Sequence, residues 1–569
     1  MKGELVVLTP LKQEIGHYVV KIHREETAKS EKTLLIAGGQ HTGIIINKLE
    51  KNATLDFQPD VSLSFSVSLG DKNQQQVQEK RSLYFNLRKN VEIETGKAVV
   101  HKFFRNLLSN LPSDYVQFMK RAMNLMQKEF EEIQTLVIDY KIVEVEEQVA
   151  IPDATQYDST SEIEEVTAGH IQEVLEHAFP NGLPISTISE VLRCKEEEAD
   201  EFLRELEKLG IARKVGDEWI RVDARKVDES IEAHKNAAST SSSTDQPTIA
   251  IISCLFVEKQ AIDSLIKDSQ TIHKYKSGGD SNVYTIGKIG EHKIVATKLA
   301  LIGDSREAIT SAGSITTRLL GNFQNIEHVF IVGVGGAVPH FTDASLHARL
   351  GDVIISSSRP HQYVYAHDVL VDRKTEIITG FAVRNWDASE KTIENIVLDG
   401  GEELRKKWNE LTENAIDELA KHGNETDWKQ PPESTDVLAM PVSKGNVVVM
   451  PHPNAETRQG PEIHLGTIGG MATIRRFAAN ETGGGESSQE LDKIRESFAE
   501  SFSIRCMDAG FDSVVGAIVG SCVKSWTLIR GIADYQHGQS RAAKVWQTHA
   551  AIRAASAAKC LIERLPPAN

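Results

Sequence analysis

The hydrophobic pattern changes character along the chain. Over residues 1 to about 90, alternating and β-branched runs such as KTLLIAGG and DVSLSFSVSL predict strands. From about Lys97 to Leu136 the period lengthens, and FFRNLLSNL and VQFMKRAMNLMQKEF repeat apolar residues at three and four, which predicts helices. Residues 1–150 are therefore expected to form an α+β domain; they carry no chemical motif, and its role stays open. Two polar stretches interrupt every apolar period and read as linkers: IPDATQYDSTSEIEE (Ile151 to Glu165) and KNAASTSSSTDQPT (Lys235 to Thr248). Between them, HIQEVLEHAF, LPISTISEVL and EEEADEFLRELEKLG predict three helices, and IARKVGDEWIRV predicts a hairpin turning at Gly216-Asp217. After the second linker, short continuous apolar runs (IAIISCLF, VATKLALIG, HVFIVGVGGAV, LGDVIISSS, SWTLIRGIADY) alternate with helical patterns such as EAITSAGSITTRLLGNF. Strands of that kind are buried on both faces, so the last segment is expected to be an α/β domain with helices on both sides of its sheet.

Composition narrows the function classes. At 569 residues the chain is too long for one core. Its 40% hydrophobic and 25% charged residues are ordinary for globular protein, and its net charge of -17 disfavours broad binding to nucleic acid or anionic membrane. The opening MKGELVVLTPLKQE is not a signal peptide, and no run approaches the roughly 20 apolar residues of a membrane helix. The five cysteines (Cys194, Cys254, Cys506, Cys522, Cys560) are far apart and form no CxxC pair, which points to a reduced intracellular compartment, cytoplasmic or nuclear, with no metal site.

Three helices followed by a hairpin resemble a winged-helix domain, over residues 166–223. A DNA-reading version needs a basic third helix, whereas Lys195 to Val222 holds nine acidic and six basic residues, a net of −3. A packing or protein-interaction role is favoured over transcriptional regulation.

In the last segment, Glu258 in SCLFVEKQAID, the glycines of VGVGGAV, LGDVIIS, PEIHLGTIGG, and RGIADY followed by VWQTHAAIRAASAAK stand in an order that resembles the nucleoside phosphorylase and nucleosidase superfamily. The resemblance covers residues 248–566 and implies a phosphorylase-like mixed sheet with helices on both faces. It further implies cleavage of the bond between a ribose and a purine, without a cofactor, in subunits that assemble as homo-oligomers through this domain. In that family an acid at the position of Asp534 hydrogen-bonds or protonates the departing base; burial at a strand end would raise a carboxyl toward a proton-donating range. Glu258 corresponds to the glutamate that activates water, and it also stands where a helix N-terminus would stabilise any acid. Gly333, Val334, Gly335 and Gly336 correspond to the loop beside ribose and base, where glycine allows close backbone approach. Tight strand-to-helix packing demands glycine as well. Arg530 is placed to orient a loop or pair with an acid.

Several positions depart from the family pattern. Its methionine-glutamate pair, which holds the ribose hydroxyls, is matched in residue type by Met507-Asp508, several residues too far upstream, while Asp512 fits the spacing better and lacks the methionine. The phosphate turn keeps Gly303 and offers Arg306. Ile468-Gly469-Gly470-Met471 lacks a serine, and ANETGGGESSQE (Ala479 to Glu490) reads as an insertion near the pocket. Two readings stand side by side: a purine nucleoside or nucleotide glycosidase, hydrolytic rather than phosphorolytic, and a catalytically inactive nucleoside sensor or scaffold.

Overall fold

The computed structural model describes residues 4–25, 33–37, 44–48, 58–70, 76–109, 111–112, 115–143, 166–222, 246–273, 283–299, 306–372, 378–421, 426–442, 446–453, 455–471, 486–536, 538, 540 and 542–567. Among them lie three sheets and eleven helices, a mixed α/β structure. The linker 151–165 falls outside the described residues, as does all of the second linker before residue 246.

The first unit contains β1 (Leu5–Glu14), β2 (His17–Glu25), β3 (Thr33–Ala37), β4 (Ile44–Asn47), β5 (Val61–Gly70), β6 (Gln76–Leu87), α1 (Ile93–Leu108), α2 (Tyr115–Lys128) and β7 (Ile133–Ile142). In β5, serines alternate with buried Leu63, Phe65 and Val67, which gives the strand one apolar face. Against it α1 presents Val100, Phe103, Phe104 and Leu107, spaced by three and one to share a helix face. Phe65 meets Phe104 and Phe85 meets Phe103 edge-on at 5.2 and 5.5 Å. Each ring so buried contributes about 1.5–3 kcal/mol. The helical pattern read as far as Leu136 ends at Lys128, and Ile133–Ile142 is a strand between β2 and β6. Its neighbours Leu136, Val137 and Ile138 are all buried, as a central strand covered on both faces requires, and such a run cannot be told from a helix by period.

The second unit packs α3 (Ala168–Ala178), α4 (Ile185–Leu192) and α5 (Glu196–Lys208) around Ile171, Leu175, Leu203 and Trp219. Its small sheet joins β8 (Leu183–Pro184) to the hairpin β9 (Ala212–Val215) and β10 (Glu218–Arg221). Gly216 turns that hairpin at φ 64°, a left-handed conformation that favours glycine.

The third unit runs β11 (Ile249–Ser253), α6 (Phe256–Leu265), β12 (Lys267–His273), β13 (Val283–Ile289), β14 (His292–Lys298), α7 (Arg306–Asn322), β15 (His328–Ala337), β16 (Val353–Ser356), β17 (Tyr363–Val371), β18 (Ile378–Trp386) and α8 (Thr392–Lys421). It continues with β19 (Leu438–Val442), β20 (Asn446–Met450), β21 (Ile463–Met471), α9 (Glu486–Phe502), β22 (Ile504–Asp508), α10 (Asp512–Gly520), β23 (Ser525–Asp534) and α11 (Gln547–Ile562). The sheet order is β12-β13-β14-β11-β15-β23-β16-β21-β17-β18. β22 pairs with both β15 and β21, so β15, β23, β16, β21 and β22 close into a ring. Helix α11 is buried nearly all round, and its alanines admit β23 so closely that a Cβ on Gly531 would stand 1.9 Å from the Ala550 carbonyl oxygen. Only glycine fits there.

The hairpin β19–β20 leaves this sheet and pairs antiparallel with β5, which makes the first sheet nine-stranded in the order β19-β20-β5-β6-β7-β2-β1-β4-β3. Phe341, from the segment after β15, enters the first unit's core at 5.5 Å from Phe104. The two units thus share both a sheet and a core.

Candidate functional site

The ends of β11, β15, β22 and β23 bring the chemistry-bearing residues together. Glu258 lies in the first turn of α6, just after β11. Its Oε2 accepts the N–H groups of Cys254 and Leu255, and its Oε1 accepts that of Val334, each at 2.8 Å. Reaching back to the N-terminus of its own helix is a capping arrangement, and crossing to β15 ties α6 to the central strand. Burial raises the Glu258 carboxyl above its ordinary value, while those backbone donors and the nearby Arg530 pull the other way.

Asp508 ends β22, and its side chain is wholly buried. Arg530 donates to its Oδ2 through Nε (3.1 Å) and Nη2 (2.9 Å). The Tyr363 hydroxyl (3.0 Å) and the Gly510 N–H (2.9 Å) donate to Oδ1. The same hydroxyl accepts the Phe511 N–H at 2.6 Å, and the Arg530 guanidinium lies 4.3 Å from the Phe511 ring centroid. Arg530 thus pairs with Asp508, and the Asp508 charge, together with that of Glu258, holds its guanidinium above the usual value against the pull of burial.

The glycine strand explains how these groups fit. A Cβ on Gly333 would stand 2.4 Å from Glu258 Oε1, and one on Gly335 would stand 2.5 Å from Cys506 Sγ and 3.1 Å from Arg530 Cβ. Glycine is required here because side chains from α6, β22 and β23 lie across the strand. Val334 contributes its backbone N–H, and Gly336 pairs with both Met507 and Asp534.

Asp534 is buried at the end of β23, opposite Gly336. Val334, which touches Glu258, is two positions earlier on β15, about 7 Å of strand rise away. Asp534 Oδ1 accepts the N–H groups of Gln536 (2.8 Å) and Gly538 (2.7 Å), and Oδ2 accepts that of Ser540 (3.2 Å). Gly538, at φ 81°, brings this turn onto β15, where a Cβ would come within 2.6 Å of the Gly335 backbone. In this conformation Asp534 acts as an acceptor that organises its own loop.

The remaining candidates are dispersed. Ile468 is fully buried in the core, between Tyr363 and Cys506 across β21. Asp512 opens α10, where burial raises its carboxyl and His367 and Arg384 draw it down; Asp508 is the acid that reaches Arg530. Gly303 and the Arg306 side chain lie outside the described residues, as do residues 479–485 of the insertion. Tyr363 and Phe511 were not anticipated, since neither belongs to a motif. Asp352 of LGDVIIS, likewise unforeseen, is fully buried and holds Arg458 (2.8 and 3.0 Å), His464 (3.1 Å) and the Arg349 and Glu462 N–H groups (both 2.8 Å).

Residues 157–223 match the family model of a winged helix-turn-helix domain. A nucleotide-binding leucine-rich repeat (NLR)-like protein of Hyaloscypha variabilis is 26% identical over 295 residues, which cover 51% of this chain and 26% of that protein. The chain therefore spans about a quarter of that relative's length. Similar solved structures include the 5'-methylthioadenosine/S-adenosylhomocysteine nucleosidase of Neisseria meningitidis in complex with methylthio-immucillin-A, with TM-score 0.32, 12% identity, 56% of this chain and 100% of that one covered. Futalosine hydrolase of Helicobacter pylori is another, with TM-score 0.30, 13% identity, and coverage of 56% and 97%. No helix among the described residues is long and apolar enough to cross a membrane.

Proposed function

We propose that the third unit binds a purine nucleoside or a related metabolite and cleaves its N-glycosidic bond by hydrolysis. The observation that supports this reading is that Glu258 accepts the Val334 N–H, Asp534 ends the strand paired beside Gly336, and Arg530, paired with Asp508, lies on that same strand β23. The ordered motifs of the nucleoside phosphorylase and nucleosidase superfamily give each group its role. Glu258, raised by burial, accepts a proton from the attacking water. Asp508, shorter than glutamate, takes the place of the acid that holds the ribose hydroxyls in that superfamily and is paired with Arg530. Asp534 hydrogen-bonds the base.

A second reading, a nucleoside-binding sensor without turnover, draws on one observation. Both Asp534 oxygens already accept N–H groups of their own loop, so donating a proton to a departing base requires that loop to rearrange. Incubation of the purified chain with adenosine, inosine, guanosine, methylthioadenosine and their nucleotides, with and without phosphate, separates the readings. Free base without phosphate is expected. Base released only with phosphate excludes hydrolysis, and saturable binding with no free base selects the sensor.

A further inference from the structure

The residue after Asp534 enters different surroundings. Tyr535 packs against the cores of both the first and the third unit, and its hydroxyl donates to Asp436 Oδ1 at 2.6 Å. Its ring lies nearly parallel to that of His347, 12° between planes with centroids 6.1 Å apart, and 6.0 Å from that of His452. Asp436 is buried and follows the short turn Glu433–Thr435, just before β19 begins the hairpin that completes the nine-stranded sheet. Its Oδ2 accepts Arg349 Nε at 2.7 Å. His452 Nε2 is 2.9 Å from its backbone oxygen and 3.4 Å from Oδ1, and His452 Nδ1 is 3.0 Å from His347 Nε2. Next to it, Trp546 Nε1 donates to Thr435 Oγ1 at 3.0 Å. Burial by itself would raise the Asp436 carboxyl, but His452, Tyr535 and Arg349 outweigh it and hold the group below its usual value.

We infer that Asp436 is a positioning residue for the Asp534 loop: by gripping Tyr535 it fixes the turn whose amides hold Asp534, and it does so from the root of the hairpin shared with the first unit's sheet. The geometric part stands on these contacts alone, and its consequence for turnover rests on the function proposed above. The route is short. Tyr535 is the first residue of the turn, and Gln536, Gly538 and Ser540 supply the N–H groups to Asp534. Freeing Tyr535 therefore releases the near end of the loop, while Gly538 still rests on Gly335 at the far end.

Two substitutions test this in the full chain. Tyr535→Phe removes one hydroxyl and keeps the ring, and Asp436→Asn removes the charge at constant size. Hydrogen–deuterium exchange is read at residues 536–540, with the amides of β15 as internal reference. Both variants are expected to speed loop exchange about tenfold, the loss of one hydrogen bond to a charged group, with β15 unchanged. Loop exchange at the wild-type rate in Tyr535→Phe overturns the inference. If Asp436→Asn also loosens β15, it reports wider unfolding and Tyr535→Phe alone decides. With methylthioadenosine as probe, kcat for adenine release is expected to fall about tenfold while KM stays within about twofold. A loosened loop with unchanged kcat refutes the positioning role, whereas no adenine from the wild-type chain counts against the proposed chemistry and leaves the exchange result to judge the contact.

Discussion

Asp508→Asn isolates the buried network beneath the glycine strand. Asp508 receives four donors: Nε and Nη2 of Arg530 on one oxygen, and Tyr363 and Gly510 on the other. Asparagine can keep Tyr363 and Gly510 on its carbonyl oxygen, but its amide then faces the guanidinium donor to donor. Arg530, 1% exposed, is left charged, with the Phe511 ring and the more distant Glu258 as compensation. Removing one partner of a buried pair costs about 3–5 kcal/mol, and the ring returns about 0.5–2 kcal/mol of cation–π attraction that was already present. The expected loss is therefore about 3–5 kcal/mol, a large share of the roughly 5–15 kcal/mol typical of a folded domain. Tyr363→Phe is milder, about 1–3 kcal/mol, because it strands one carboxylate lone pair and the Phe511 N–H. The double variant Arg530→Met/Asp508→Leu removes both charges and is expected to lose less than Asp508→Asn alone. A chain with several separate buried clusters does not unfold in one step, so the readout is hydrogen exchange of the β22 and β23 amides across a urea series. Asp508→Asn within about 1 kcal/mol of wild type, or a double variant worse than the single, refutes the description of this pair as buried and interdependent.

Three further perturbations follow. Because burial raises the folded-state value of Glu258 above its unfolded one, the folded chain holds that proton more tightly, and the contribution of this group to stability is expected to fall as pH rises from about 4.5 through the raised value; in Glu258→Gln this contribution disappears, and a wild-type-minus-variant difference in hydrogen-exchange stability of the α6 amides that grows with pH contradicts it. Over the same window turnover is expected to rise with pH, since a base acts only when ionised. Gly335→Ala places a methyl 2.5 Å from Cys506 Sγ, with an expected loss of about 1–3 kcal/mol read from hydrogen exchange of the β15 and β22 amides and partial recovery on adding Cys506→Ala. Lys298→Met removes the buried ammonium that donates to the carbonyls of His177 (3.2 Å), Phe179 (3.0 Å) and Leu299 (2.9 Å); residues 166–222 are expected to be cut faster by limited proteolysis, and an unchanged cleavage rate rejects Lys298 as a holding contact.

Local chemistry was the legible part of the sequence. The runs around IAIIS, HVFIVGVGGA and SWTLIRGIAD are strands, because each is short, mostly apolar and buried along its length. GD at 216–217 turned its hairpin. What escaped depends on pairing between distant segments. LAMPV and NVVVM form an ordinary hairpin by their own pattern, and nothing in them says that the receiving edge is β5, almost four hundred residues earlier. Phe341 follows a proline and a histidine in a loop, where an isolated aromatic gives no sign that its core belongs to another unit. The glycines of VGVGGA were read for approach to a ligand or for strand-to-helix packing; Gly333 makes room for Glu258 of helix α6, and Gly335 for Cys506 and Arg530, side chains whose direction no spacing rule encodes. Spacing favoured Asp512 and residue type Asp508, and neither shows which of them meets Arg530 once β22 has joined the ring.

The same contacts show how the appended units meet the two carboxylates. The second unit clasps Phe256, the residue that opens α6, between Phe179 (5.1 Å, edge-on) and the Arg221 guanidinium (4.8 Å from the ring). Glu258 is two residues farther on in that first turn. Lys298, which ends β14, closes the contact from beneath; burial lowers its ammonium to about 8, and charge from Cys254 and Glu258 works to restore it. The first unit, through the β19–β20 hairpin and Asp436, grips Tyr535, next to Asp534. Each appended unit therefore bears on the element that carries one of the two acids, and neither acid depends on the third unit alone for its placement. An acidic third helix in the winged-helix unit accords with this use: α5 carries Glu196, Glu197 and Glu198 in its first turn, a poor surface for phosphate, while α3 and β10 do the docking. The elements that carry Glu258 and Asp534 are in this way held by contacts from all three units.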